Sequence, residues 1–164
     1  MRHSEFFITA NGRVACKGLT LMTGYWNDAE ATGRVLQEGT VTTADLGSVD
    51  GRGRLHLQGR DDDTINVGGY KVAPSEVEDT ALAFAGVQDC VCIPALHPVM
   101  GTVLKLMVVP QAAYDRKKLI AFLKDRLEPY KVPFFYEETT AVRRTFNGKT
   151  DRKWYLSQLK NRAD

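Results

Sequence analysis

The sequence predicts an α+β protein, with short strands outnumbering helices and the helices laid on a sheet. Three observations lead to this class. The stretch up to Arg60 is rich in glycine and turns and holds apolar pieces too short for helices: FFIT, RVAC, TVTT and RLHL. From there on, strand-like and helix-like segments follow the order β-β-α-β-β-α-β-β-α. Each expected helix also begins at a capping-type residue: Asp28, Ser75, Asp115 and Asp151.

The elements follow in order. WNDAEATGRVLQEG reads as a loop and short helix capped by Asp28. TTADLG places Asp45 after a β-branched strand and before a glycine turn. No independent core is evident in this first part, which reads as a piece of sheet that needs partners. TINV and YKVA, joined by Gly68-Gly69, form a hairpin. Pro74 ends the second strand, and Ser75 with Glu78 fits a capping box at the start of a helix. Val77, Ala81, Phe84 and Ala85 give that helix its apolar face, and Gly86 ends it. VQDCVCI and TVLKLMVVP are strands. Asp115 caps a helix whose Leu119, Phe122, Leu123 and Leu127 recur at helical spacing. KVPFFYEE is a strand and AVRRT another short one. Asp151 opens a last helix with Trp154, Tyr155 and Leu159 on its apolar side.

Composition narrows the classes of function. The chain has 164 residues, 43% apolar and 26% charged, as in soluble globular proteins. A formal charge of +2, from 22 basic and 20 acidic residues, lacks the basic excess of a nucleic-acid binder. MRHSEFFITANGRVACKG has no apolar signal-peptide run, and no later run is long enough to span a bilayer, so a cytoplasmic location is expected. Cys16, Cys90 and Cys92 show no zinc-ligand spacing, so no metal site is expected and the thiols read as reduced and partly buried. Cys90 and Cys92, as strand neighbours, share a face.

Four places could carry chemistry, and each has a plain structural alternative. Asp45 could accept two hydrogen bonds from a vicinal diol, or cap a turn. Arg60, in Gly59-Arg60-Asp61-Asp62-Asp63, could be the counter-ion of the three carboxylates beside it. A glycine followed by charged residues also suits a joint between two bodies. Gly68-Gly69-Tyr70-Lys71 could let backbone approach an extended ligand, or serve the hairpin turn alone. Lys149, in TFNGKTDRK, could be a solvated turn charge or a cation held out on a stiff turn for an anion.

The order of these stretches carries more than any one of them. GYWNDAEAT, TTADLG, GRLHLQGRDDDTINVGGYKVAPSEVE, LEPYKVP and RTFNGKTDRK resemble the successive C-terminal motifs of the adenylate-forming (AMP-binding) acyl-CoA synthetase superfamily. That superfamily includes peptide-synthetase adenylation domains and luciferases, and the GGYKV-x-PSEVE wording is more similar to acyl- or aryl-CoA ligases. The resemblance runs from about Gly24 to about Leu159. It implies a β-rich remnant of the large ATP-binding domain over 1–61 and a mobile small α+β C-terminal domain over 62–164. It also implies two half-reactions: a carboxylic acid and ATP give an acyl-adenylate, and a thiol, usually CoA, then displaces AMP.

The resemblance further implies roles for individual residues. Asp45 and Arg60 would bind the nucleotide ribose, and Asp62 would be the hinge. Gly68, Gly69, Tyr70 and Lys71 would face the CoA tunnel, and Lys149 would be the catalytic lysine of adenylation. Magnesium contacts are expected from the large domain, which is the implied partner in cis or in trans.

The sequence also departs from the family pattern. It holds no phosphate loop ending in Pro-Lys, so the 164 residues alone are not expected to adenylate. Ala44 stands where glycine is usual, Thr102 where glutamate is frequent, and Arg143 where proline usually stiffens the lysine loop. Alternative functions are a non-catalytic interaction module, half of a split enzyme, or part of an adenylation domain that loads a carrier protein.

Overall fold

The computed structural model describes residues 4–160, with the side chains of 159 and 160 outside the description, so the expected place of Leu159 on the last apolar face lies outside the described residues. The chain divides into two compact units, Met1–Asp62 and Asp63–Asp164.

The first unit is a five-stranded antiparallel sheet with one short helix. Strands β1 (Ser4–Ile8), β2 (Arg13–Gly18), β3 (Leu36–Gln37), β4 (Thr40–Val49) and β5 (Leu55–Arg60) pair in the order β1-β2-β4-β3, with β5 also on β4. Helix α1 (Ala29–Val35) starts where expected, because the Asp28 carboxylate accepts the Ala31 N–H at 2.8 Å. Only Val14, Ala15 and Gly47 are buried among the described residues here, which matches a sheet without a core of its own.

β4 corrects one expectation. Asp45 lies within the strand rather than at its end, and Gly47 is not a turn. A bulge between Leu46 and Gly47 lets pairing with β5 continue. A Cβ at Gly47 would come within 2.8 Å of the His56 carbonyl oxygen, so glycine serves a close backbone approach.

The second unit is built on a three-stranded sheet, β8 (Val87–His97), β9 (Gly101–Pro110) and β10 (Phe135–Glu138). β8 and β9 are antiparallel, and β10 joins β9 in parallel. Both faces are covered. On one, Cys90, Cys92, Leu104, Leu106 and Val108 pack with Val77 and Ala81 of α2 (Pro74–Leu82) and Leu119 and Leu123 of α3 (Arg116–Arg126). On the other, Val91, Ile93 and Val109 pack with Val142 and with Tyr155 of α4 (Arg152–Lys160). Cys90 and Cys92 do share a face, and burial pushes the Cys90 thiol up to about 12, with the nearby Glu78 carboxylate acting in the same direction.

The caps at Asp115 and Asp151 form as expected, with Asp115 accepting Lys117 and Lys118 N–H at 2.9 and 3.1 Å and Asp151 accepting Trp154 N–H at 3.1 Å. Four local expectations fail. Pro74 is itself the first helical residue and Ala73 is the cap, so Ser75 lies inside the first turn and no capping box forms. α2 stops at Leu82, before Gly86; Gly86 instead adopts φ +113° where a Cβ would meet Tyr114 backbone at 2.8 Å. The KVPFFYEE strand is limited to Phe135–Glu138, and AVRRT is no strand but one bridge, Arg144 to Thr150.

Candidate active site

The predicted residues form three local groups, one in the first unit and two in the second. In the first unit, register places Asp45 on β4 opposite Arg60 on β5. Arg60 donates to Asp62 through Nε and Nη2 at 2.9 and 2.8 Å, and through Nη1 to Asp45 at a longer 3.4 Å. The bidentate arginine contact holds the Asp62 carboxyl below the usual carboxylate range. Asp62 sits within a single 3-10 turn, Asp61–Asp63, in which the division between the two units falls.

The second group is the hairpin of β6 (Ile65–Val67) and β7 (Tyr70–Val72). Gly68 and Gly69 take φ of 57° and 92°, the left-handed pair of a two-residue turn. The Asn66 side chain accepts the Gly69 N–H at 2.9 Å. Added Cβ atoms at either glycine would meet nothing within 4 Å, so the turn presents open backbone. Tyr70 is stacked on Tyr130, with centroids 4.4 Å apart and planes at 19°. Next to Tyr130, Lys131 bonds Glu76 at 2.7 Å and Glu128 at 2.9 Å. Burial of Lys131 opposes its charge, but these two carboxylates outweigh that and raise its pKa.

The third group is the turn that carries Lys149. Thr145 N–H donates to the Lys149 carbonyl at 2.7 Å, and Gly148 N–H to the Thr145 carbonyl at 2.9 Å. Gly148 has φ 81°, and the Thr145 hydroxyl bonds both the Asn147 side chain and the Lys149 carbonyl. The turn is closed at its base by the Asp151 N–H on the Arg143 carbonyl at 3.0 Å. Arg143, where proline would have stiffened the loop, braces it otherwise. Its backbone N–H donates to the Tyr155 hydroxyl at 2.8 Å, and its guanidinium reaches Asp151 and lies over Trp154. The Lys149 side chain is exposed, and no carboxylate among the described residues pairs with it.

Sequence reasoning missed the residue pair beneath this turn. Arg152 grips Glu78 with both Nη atoms, at 2.9 and 2.7 Å, and Glu78 also accepts the Cys92 N–H at 2.7 Å. Arg152 further donates to the Cys92 carbonyl at 3.2 Å and lies 3.5 Å from Asp63. The sequence did hold a signal: Glu78 falls on the same helical face as Pro74, Val77 and Ala81.

Comparison with known proteins places the chain as a whole. Residues 76–149 match the family model of the AMP-binding enzyme C-terminal domain. The chain is 35% identical over 150 residues to a long-chain-fatty-acid–CoA ligase of Bacillus subtilis, covering 90% of this chain and 27% of that protein. It is 38% identical over 140 residues to a feruloyl-CoA synthase of Amycolatopsis sp., covering 84% of this chain and 28% of that protein. Among solved structures it is similar to the Bacillus subtilis o-succinylbenzoate CoA synthetase in complex with its acyl-adenylate intermediate, with TM-score 0.86, 26% identity and cover of 94% of this chain and 34% of that one. It is also similar to an amide bond synthetase from Marinactinospora thermotolerans, with TM-score 0.85, 28% identity and cover of 96% and 35%. The fold is that of the adenylate-forming class. The chain belongs to the adenylate-forming (AMP-binding) superfamily and corresponds to its C-terminal portion.

Proposed function

We propose that these residues are the C-terminal part of an AMP-forming acyl-CoA synthetase, and that Lys149 is its catalytic lysine for adenylation. One observation carries this reading: Lys149 is exposed on a braced turn, and no carboxylate among the described residues pairs with its ammonium. A solvated surface charge needs no such bracing. A cation delivered to a ligand does, because misplaced charge stabilises little.

Attack of a carboxylate on the α-phosphorus of ATP brings two repelling anions together. An ammonium about 4 Å away offsets about 4 kcal/mol per contact at an effective dielectric near 20. A lysine suits the position, being a compact point charge that sits between two oxygens. Asp45 has a half-exposed carboxylate for the ribose hydroxyls, and Arg60 lies across the ladder from it. Asp62, in the turn between the units, is the hinge of this reading. Gly68 and Gly69 leave room for the narrow pantetheine arm of CoA, with Tyr70 and Lys71 beside them. The described residues supply no group of ligands for magnesium, and its contacts are assigned to the large domain.

The partners are then a large phosphate-loop domain, in cis or in trans, and a small carboxylic acid. No described helix is long and apolar enough to cross a membrane, and we place the enzyme in the cytoplasm. The deciding experiment is Lys149→Ala in the enzyme completed by its large domain. ATP–pyrophosphate exchange is expected to fall about 100- to 1,000-fold, while thioester formation from supplied acyl-adenylate persists. Equal loss of both steps would assign Lys149 a structural role instead. Efficient transfer to a phosphopantetheinyl protein, with poor use of free CoA, would identify the acceptor as a carrier protein.

A further inference from the structure

We propose that Arg144 is a positioning residue that holds the Lys149 turn against β8. This inference rests on the adenylation role of Lys149. Arg144 bridges two groups at once. Its Nη2 donates to the Asp89 carboxylate at 2.6 Å, and its Nη1 to the Gly148 carbonyl at 3.3 Å. Gly148 is the residue immediately before Lys149. Asp89 is itself fixed, because its other carboxylate oxygen accepts the Cys90 N–H at 2.9 Å within β8. The sheet, the arginine fork and the backbone next to Lys149 therefore form one connected path.

The internal bonds of the turn set its shape but not its place. Thr145, Asn147, Gly148 and Lys149 bond one another and would move together. Arg152 anchors α4, beyond the turn, to α2 and β8. Arg144 acts on the turn itself, tying the Gly148 carbonyl to Asp89 of β8. Arginine suits this task because its planar fork can serve a carboxylate and a carbonyl together, whereas one ammonium would have to divide itself between them. The pair is also accessible, with 44% of the Arg144 side chain and 26% of the Asp89 side chain exposed, so it adds little to global stability. That separates placement from folding. A shift of about 1 Å in a reacting group can cost about 100-fold in rate.

The test uses the enzyme completed by its large domain. Arg144→Ala is expected to lower the kcat of adenylation about 10- to 100-fold. Thioester formation from supplied acyl-adenylate is expected to stay within about twofold. Asp89→Asn, which keeps the shape and removes the charge, is expected to reproduce a part of the loss, and Arg144→Lys to restore a part. On a Lys149→Ala background, Arg144→Ala is expected to cause no further loss, since it acts through the lysine. In the 164-residue chain, Arg144→Ala should speed amide hydrogen exchange at Gly148 while leaving β8 protected. Full adenylation by Arg144→Ala, equal loss in both half-reactions, or an undiminished further loss without Lys149 would each overturn the inference. If Lys149→Ala itself adenylates normally, the functional reading falls first. If only Arg144→Ala does, this inference falls alone.

Discussion

Arg152 meets Glu78 fork to fork, at 2.9 and 2.7 Å, on a carboxylate that also accepts the Cys92 N–H. Glu78 is the one buried charged residue among the described residues. Removing one partner of a buried pair leaves the other unmatched, which typically costs about 3–5 kcal/mol. Arg152→Ala is therefore expected to lower stability by about 3 kcal/mol, the low end of that range because the arginine is partly exposed. Glu78→Ala should cost as much or more, since it also orphans the Cys92 amide. Urea unfolding of the chain measures both, and losses below about 1 kcal/mol would show that the pair is no anchor.

Gly86 gives a second stability prediction. Its φ of +113° and the Tyr114 backbone at 2.8 Å from an added Cβ leave no room for a methyl group. Gly86→Ala should cost about 2 kcal/mol or more, through strain and displacement of the Ala113–Tyr114 segment. By contrast, Gly69→Ala meets open space and should cost only the strain of its positive φ, about 1 kcal/mol. Thermal melts of the two variants should rank them in that order.

The same open space predicts a functional effect. A bulky Gly69→Leu should fold, yet obstruct a ligand that runs along the turn. In the completed enzyme, thioester formation is expected to drop about 10-fold or more, while ATP–pyrophosphate exchange stays near the parent rate. Equal use of CoA by the variant would remove the hairpin from the proposed acceptor path.

The cysteines predict the alkaline limb of stability. The Cys90 thiol is pushed up to about 12 from an ordinary value of 9.0, so the folded chain keeps its proton longer than the unfolded one. Stability from this group is complete below pH 9.0 and is lost as pH rises from there towards about 12. Burial raises Cys92 as well. Unfolding free energy should therefore begin to fall above about pH 9, and Cys90→Ala with Cys92→Ala should flatten the first part of that fall. Neither thiol of the native chain should react with a thiol reagent near neutral pH, in contrast to the urea-unfolded chain.

Much of this fold was legible because its signals are local. Asp28, Asp115 and Asp151 cap helices through their own side chains, and Gly68-Gly69 forms a turn through its own backbone freedom. The failures share a cause, which is long-range competition. Glu78 fits a capping box by spacing, but Arg152, far along the chain, draws it inward. Asp45 looks like a strand end until β5 pairs across it and a bulge carries the ladder past Gly47. AVRRT has strand-like residues, yet its arginine side chains engage Asp89, Asp151 and Trp154, and its backbone forms one bridge, Arg144 to Thr150, rather than a ladder. Of the proposed site, sequence supplied the candidate residues but not their bracing. Lys149 stands out in sequence, whereas the partners of Arg144 and Arg152 are visible only after folding.

The thin interior of the first unit has a practical consequence. With only Val14, Ala15 and Gly47 buried among its described residues, and with Leu19 and Trp26 each 92% in water, residues 1–62 should be sticky and readily digested when expressed by themselves. A polypeptide starting at Asp63 keeps both faces of its sheet clad. It is the fragment to label for solution spectroscopy, and a protease left with the whole chain should trim towards it.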